Sequence, residues 1–259
     1  MRRLKVMVSG AKGRMGREVI KMLKQDDELL YVGGIDPIGP SQQETDGKPI
    51  YQRLEEALIA EKPDVLVDFT NPHVVKDNVR IAIEMGVSPV VGTTGFTQDD
   101  IVFLDKLAKE HDLGGVIAPN FAIGAVLMMK FSQMAAKYMS HVEIIEYHHD
   151  KKLDAPSGTA LKTAELIQKV RQELKQGHPD ETETLVGARG GEYSGFRIHS
   201  VRLPGLVAHQ EVIFGDRGQT LTIRHDSIDR ESFMPGVNLA IKKVKHLRGI
   251  VYGLEHLLD

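Results

Sequence analysis

The chain has 259 residues, more than the roughly 100–200 of one typical domain, so two domains or one large one are expected. Hydrophobic residues at 41% and charged residues at 27% suit a folded globular protein, and a net charge of -3 gives no general attraction to nucleic acid or an anionic membrane. The absence of cysteine excludes disulfides, thiolate nucleophiles, iron–sulfur ligation and cysteine-type zinc sites, so redox chemistry would need a cofactor.

The opening "MRRLKVMVSG" starts with basic residues, but its apolar stretch stops at Ser9 and is too short for a secretory core. The longest apolar run, Phe121 to Met129, falls far below the ~18 residues a membrane span needs. A cytoplasmic protein without a membrane partner is expected.

The first 120 residues alternate short β-rich runs with helical patterns. "LKVMVS" predicts a buried strand, followed by a helix carrying Met15, Val19, Met22 and Leu23 on one face. "LLYVGGID" is a second strand, "YQRLEEALIAEK" a helix, "DVLVDFT" a third strand, and a helix is predicted from Pro72 to Met85. "VSPVVGTTG" and "LGGVIAPN" supply two more strands around a helix from Thr97 to His111. Such β-α-β alternation predicts an α/β fold with a parallel sheet covered by helices on both faces.

Between the first strand and helix stands "GAKGRMG", with glycines at Gly10, Gly13 and Gly16, so the first glycine is displaced from G-x-G-x-x-G and Ala11 stands where it would be. Small residues there let the backbone approach a pyrophosphate, whose charge is stabilised by the N–H groups at the helix start. Lys12 and Arg14 add positive charge, and Met15 completes the turn. Asp36 ends the second strand 20 residues beyond Gly16, where a carboxylate would accept hydrogen bonds from the adenosine ribose. Isolated glycines would mean only a tight turn; strand, glycines, helix, strand and acid in order point to dinucleotide binding. Pro37 stands where an NADP enzyme often offers arginine, which favours NADH, while Arg14 or Lys12 leaves NADPH open. Loops at Gly92, Thr93 and Thr94 and at Ala118, Pro119, Asn120 and Phe121 follow further parallel strands, at the sheet edge where such folds bind ligands.

After Asn120 the pattern changes. Phe121 to Tyr138 predicts an apolar helix with Leu127, Phe131, Met134 and Tyr138 on one face. Then come longer β runs: "HVEIIEYHH", "FRIHSVRLP", "LVAHQEVIFG" and "TLTIRHDS", the last two joined through "DRGQ" as a hairpin. A second α+β domain on a mainly antiparallel or mixed sheet is expected over residues 121–229, for substrate binding and oligomerisation. Residues 230–259, predicted helical, return to the dinucleotide-binding domain of residues 1–120. The long strands need a cover, and self-association supplies one.

The segment "EYHHDKKLDAPSGTA" gathers two histidines, two lysines and a Ser-Gly-Thr. On a strand His148 and His149 point to opposite faces, so they do not chelate one metal together, and no metal site is expected. Alone, the histidines would be structural and the lysines solvated. However, Pro156 and then Ser157 or Thr159 as N-cap start a helix whose first N–H groups form an anion site behind those cations. A small ligand with carboxylates fits, as would a phosphate. The chemistry expected is hydride transfer to a small anionic substrate, with histidine or lysine managing a proton.

With these motifs in order, the chain resembles the dihydrodipicolinate reductase family: "EYHHDKKLDAPSGTA" is similar to its substrate signature, and "GAKGRMG", "DFT", "GTTG" and "APNF" to its cofactor motifs. The resemblance implies NADH- or NADPH-dependent reduction of 4-hydroxy-tetrahydrodipicolinate to tetrahydrodipicolinate in the diaminopimelate and lysine pathway. It implies His148 and Lys152 as proton-handling residues, without dividing the task between them, and His149, Gly158 and Thr159 as carboxylate contacts; Ser157, at the same helix start, is placed with them as a substrate-binding residue. It adds Phe69 and Thr70 of "DFT" to the cofactor residues and implies a Rossmann domain joined to a sheet domain that assembles a homotetramer. The competing readings are a non-catalytic NADH-sensing regulator, which needs no His-Lys cluster, and another two-domain NAD(P)-dependent dehydrogenase; the thiohemiacetal type is excluded for want of cysteine.

Overall fold

A computed structural model describes residues 2–37, 43–45 and 47–258. The chain divides into two compact units, Met1–Ala122 with Arg230–Asp259, and Ile123–Asp229.

The first unit is built on an eight-stranded sheet. Its elements are β1 (Leu4–Ser9), α1 (Arg14–Gln25), β2 (Leu29–Ile35), β3 (Gln43–Thr45), β4 (Lys48–Tyr51), α2 (Leu54–Glu61), β5 (Val65–Asp68), α3 (Val75–Glu84), β6 (Ser88–Val91), α4 (Gln98–Glu110) and β7 (Gly114–Ile117). The second unit comprises α5 (Ile123–Ala135), β8 (His141–His148), α6 (Gly158–Gln168), β9 (Gly191–Tyr193), β10 (Phe196–Arg202), β11 (Ala208–Asp216) and β12 (Gln219–Ser227). The chain then adds α7 (Met234–Val244) and β13 (Gly249–Tyr252) to the first unit, with 3-10 turns at Arg230–Phe233 and Leu254–Leu257.

The first sheet runs in the order β13-β7-β6-β5-β1-β2-β4-β3, and every pairing but β3 with β4 is parallel. Val6, Met7 and Val8 of β1 and Val65, Leu66 and Val67 of β5 are wholly buried, as parallel strands covered on both faces must be. The chain leaves β1 in one direction and reaches β5 in the other. Their C-terminal ends therefore lie side by side at the topological switch point, where an open α/β sheet forms its ligand crevice.

Three local readings are corrected. Tyr51 closes strand β4, and the helix predicted from that residue is confined to Leu54–Glu61. "GIVY" in the segment predicted helical is strand β13, which pairs in parallel with β7 and extends the sheet edge. Helix α5 buries Ala125, Val126, Met128, Met129 and Ser132, while Phe131, Met134 and Tyr138 of the expected apolar face are exposed. Where nearly every position is apolar, periodicity does not say which stripe faces the core.

The second sheet, in the order β12-β11-β8-β10-β9, is mixed: β8 and β10 are parallel and the other pairings antiparallel. A parallel pair needs a crossover, here provided by α6 and the segment after it. The inner face begins apolar, with Val142 and Ile144 of β8 packing with Phe196, Ile198, Val212 and Phe214 in one core. One rung further along it turns polar. Ser200, Glu146, Gln210 and His225 lie across four adjacent strands, and the next rung holds Arg202, His148, Ala208 and Ser227.

Candidate active site

In the first unit the loop after β1 is shaped by close approaches. Gly10 has φ +77°, and a Cβ there would lie 2.6 Å from the Phe69 carbonyl oxygen, so only glycine lets the loops after β1 and β5 touch. A Cβ on Gly16 would sit 2.1 Å from the Gly10 oxygen, which keeps α1 against that loop. Ala11, fully buried, fills space over Gly34 of β2, where an added Cβ would come within 2.5 Å of the alanine methyl. The departure from G-x-G-x-x-G is thus absorbed by packing against the sheet.

Helix α1 starts after Gly13 with no side-chain cap and no acidic residue in its first turn, which suits an anionic group at its N-terminus. Arg14 is exposed there, and Lys12 and Met15 are half-buried. Asp36, buried at the end of β2, accepts a hydrogen bond from the Lys12 N–H at 3.0 Å and so ties strand end to glycine loop.

The loops after β5 and β6, expected from the sequence to border the cofactor, meet at Asp68, the buried last residue of β5. Its carboxylate accepts from the Thr70 N–H at 3.0 Å, the Thr70 hydroxyl at 2.7 Å, the Thr93 hydroxyl at 3.1 Å and the Asn78 amide at 2.9 Å. The Phe69 ring fills the space above Gly92, whose Cβ would fall 2.0 Å from a ring carbon, and lies 6.0 Å from the Phe121 ring. Thr94 and Pro119 are exposed; Ala118 is buried, and Asn120 accepts from the Ala122 N–H at 2.8 Å. All the cofactor residues expected from the sequence lie in the first unit, and the small residues, uncapped helix start and strand-end acid among them fit a nicotinamide dinucleotide.

The second unit is built with charge. Glu146, fully buried, points the same way as His148 because residues two apart share a face of β8. Its Oε2 lies 2.5 Å from His148 Nδ1 and 2.8 Å from Arg202 Nη1. Its Oε1 accepts from Arg202 Nη2 at 2.7 Å and from the Ser157 N–H at 3.2 Å. Burial alone would push the Glu146 carboxyl up; hydrogen bonds from His148, Arg202 and Ser200 outweigh it and hold it at about 2.

Beyond β8 the chain turns through His149 and Asp150, both exposed, to Lys152, whose ammonium donates to Asp154 at 2.7 and 2.9 Å. Arg202 Nη2 donates to the Asp154 carbonyl at 2.7 Å, fixing the far end of this loop. The Ala155–Pro156 peptide is cis. Ser157 caps α6 by accepting from the Ala160 N–H at 3.2 Å, so its hydroxyl oxygen and its N–H are both engaged within the unit. Gly158, the first helical residue, is exposed, and a Cβ there would meet nothing within 4 Å. The fold therefore does not require glycine at that position. Thr159 is half-buried on the first turn.

Sequence reasoning missed Glu146, Arg202 and Asp154 as parts of this cluster. The available signal was the i, i+2 relation of Glu146 to His148; Arg202 joins only through the pairing of β10 with β8. Among the described residues no group of three or more His, Asp or Glu side chains is placed to hold a metal ion.

A family model for the N-terminus of dihydrodipicolinate reductase matches residues 4–121, and one for its C-terminus matches residues 124–258. A Geobacillus kaustophilus protein named 4-hydroxy-tetrahydrodipicolinate reductase is 58% identical, over 99% of each chain. One of the same name from Streptococcus thermophilus is 59% identical, over 98% of this chain and 99% of that one. The solved structure of dipicolinate-bound dihydrodipicolinate reductase from Paenisporosarcina sp. TG-14 is 48% identical, with a TM-score of 0.92 over 99% of this chain and 100% of the other. D-galactose-1-dehydrogenase from Rhizobium etli, 11% identical with a TM-score of 0.62 over 98% of both chains, shares the fold alone. On motifs, fold and full-length identity together, the chain belongs to the dihydrodipicolinate reductase family of oxidoreductase enzymes.

Proposed function

We propose that this protein reduces 4-hydroxy-tetrahydrodipicolinate to tetrahydrodipicolinate with NADH or NADPH, in diaminopimelate and lysine biosynthesis. The observation that carries the reading is the cluster of His148, His149 and Lys152 directly before the capped, glycine-opened start of α6. Cations in front of a helix N-terminus suit a substrate with two carboxylates, and dipicolinate, the ligand named in the similar Paenisporosarcina structure, is such a ring.

When bound, the reduced nicotinamide supplies the hydride. The first unit's residues hold the nucleotide: Gly10, Gly13 and Gly16 give the pyrophosphate room, with Ala11, Lys12, Arg14 and Met15 completing the turn. Phe69, Thr70, Gly92, Thr93, Thr94 and the Ala118–Phe121 loop border the nicotinamide side. Asp36 receives the ribose hydroxyls, which favours NADH because a 2′-phosphate would meet its carboxylate. In the second unit His149, Gly158 and Thr159 hold the substrate carboxylates, joined by the hydroxyl hydrogen of Ser157, whose oxygen and N–H are engaged in the cap. Lys152 delivers a proton as hydride addition leaves negative charge on the ring, and His148 stabilises that charge or exchanges the proton. The protein works in the cytoplasm as a homotetramer assembled through the second unit's sheet.

The test is loss of dihydronicotinamide absorbance with freshly formed 4-hydroxy-tetrahydrodipicolinate, run with each cofactor. Substrate-dependent oxidation, faster with NADH, is expected. NADH binding without substrate-dependent oxidation would make the chain a sensor and overturn the reading.

A further inference from the structure

We propose that Glu146 is the positioning residue of the reaction: its carboxylate fixes His148 with the proton on Nδ1 and Nε2 turned to the ligand, and locks the start of α6 to the same point. The inference rests on the reading of His148 as a proton-handling residue and adds a group that does not itself touch substrate.

Three observations carry it. First, one wholly buried carboxylate meets five donors from three elements, namely His148 on β8, the Ser200 hydroxyl and both terminal nitrogens of Arg202 on β10, and the Ser157 N–H at the cap of α6. Fixed partners on every side leave it little freedom to rotate. Second, an ionised carboxylate can only accept, so the imidazole nitrogen facing it must carry hydrogen; in the neutral ring the remaining lone pair is then on Nε2. Third, Arg202 passes the constraint on, because the guanidinium paired with Glu146 also donates to the Asp154 carbonyl at the end of the Lys152 loop. Both proposed proton-handling residues are thereby referred to one buried group.

Two measurements decide it. In the full-length enzyme labelled with ¹⁵N-histidine, two-bond nitrogen–proton spectra, with His148 assigned through His148→Gln, are expected to show neutral His148 protonated on Nδ1. An Nε2-protonated ring would overturn the proposal without recourse to any Glu146 variant. In Glu146→Gln, which keeps the shape and removes the charge, kcat should fall by about 10–100-fold, the loss expected of a misoriented group. The substrate KM should stay within about threefold, in keeping with an orienting effect. NADH binding, a property of the first unit, should not change, and Glu146→Asp should recover part of kcat. A Glu146→Gln enzyme with unaltered kcat, or one whose kcat is not improved in Glu146→Asp, would contradict it. Should the wild type not turn over the substrate, the functional reading fails, while the histidine spectrum still reports whether Glu146 sets the tautomer.

Discussion

Where the loops of the first unit meet, side chains are missing: Gly10 touches the Phe69 carbonyl, Gly16 the Gly10 carbonyl, and Gly92 lies under the Phe69 ring. Where the second unit gathers its conspicuous residues, the space is crowded with charge, and Glu146, Arg202, His148, Lys152 and Asp154 hold one another in place. The first arrangement is intolerant of added atoms and the second of lost ones. A backbone-lined crevice suits a ligand recognised by shape and phosphate, whereas a charge-lined one suits a small anion and proton movement. Substitutions that add or remove single groups should therefore fail differently in the two units.

The largest effect on stability is expected from Arg202→Met. It removes the guanidinium from a fully buried carboxylate, a change that typically costs about 3–5 kcal/mol, and urea unfolding should show the loss in the second unit. A cost within 1 kcal/mol, by the same scale, would mean that water reaches Glu146 and that the cluster is not closed. Gly16→Ala comes next. With the new methyl placed 2.1 Å from a backbone oxygen, the turn must shift, at about 1–3 kcal/mol, and NADH affinity should fall while dipicolinate binding is kept. Equal loss of both ligands would erase the contrast between the units.

A smaller effect lies in acid. The Glu146 carboxyl is depressed in the folded protein, to about 2 from an ordinary 4.5. Its stabilisation is therefore fully present above about 4.5 and is lost as pH falls through about 2. Acid unfolding followed between those limits should be shallower in Glu146→Gln than in the wild type. Parallel curves would show that this carboxylate contributes nothing through its ionisation.

The two regions also differed in how far the sequence announced them. The glycine loop was legible because it is local: strand, turn, helix and Asp36 lie within one short stretch, and each residue type has a steric or electrostatic reason to be there. The charged cluster was half legible. His148, Lys152 and the Ser157 cap stand in one segment, but an acid at Glu146 reads in isolation as a solvent-facing strand position. Its burial follows only from Arg202, 56 residues on, being brought alongside by the parallel pairing of β8 and β10. Strand β13 escaped for the same reason, since four apolar residues after a helix become a strand only when β7 offers an edge. In α5 the misplaced face was a matter of excess signal, with apolar residues on nearly every side.

The central claim is a division of labour, in which the first unit binds the nucleotide and the second grips the dicarboxylate and moves the proton. Lys152→Ala tests it most directly, with kcat and the NADH dissociation constant measured on the same preparation. In this variant kcat is expected to fall by about 10²–10⁴-fold, the usual worth of a positioned acid, with NADH affinity unchanged within about twofold. Retained turnover, or NADH affinity lost in step with turnover, would contradict it.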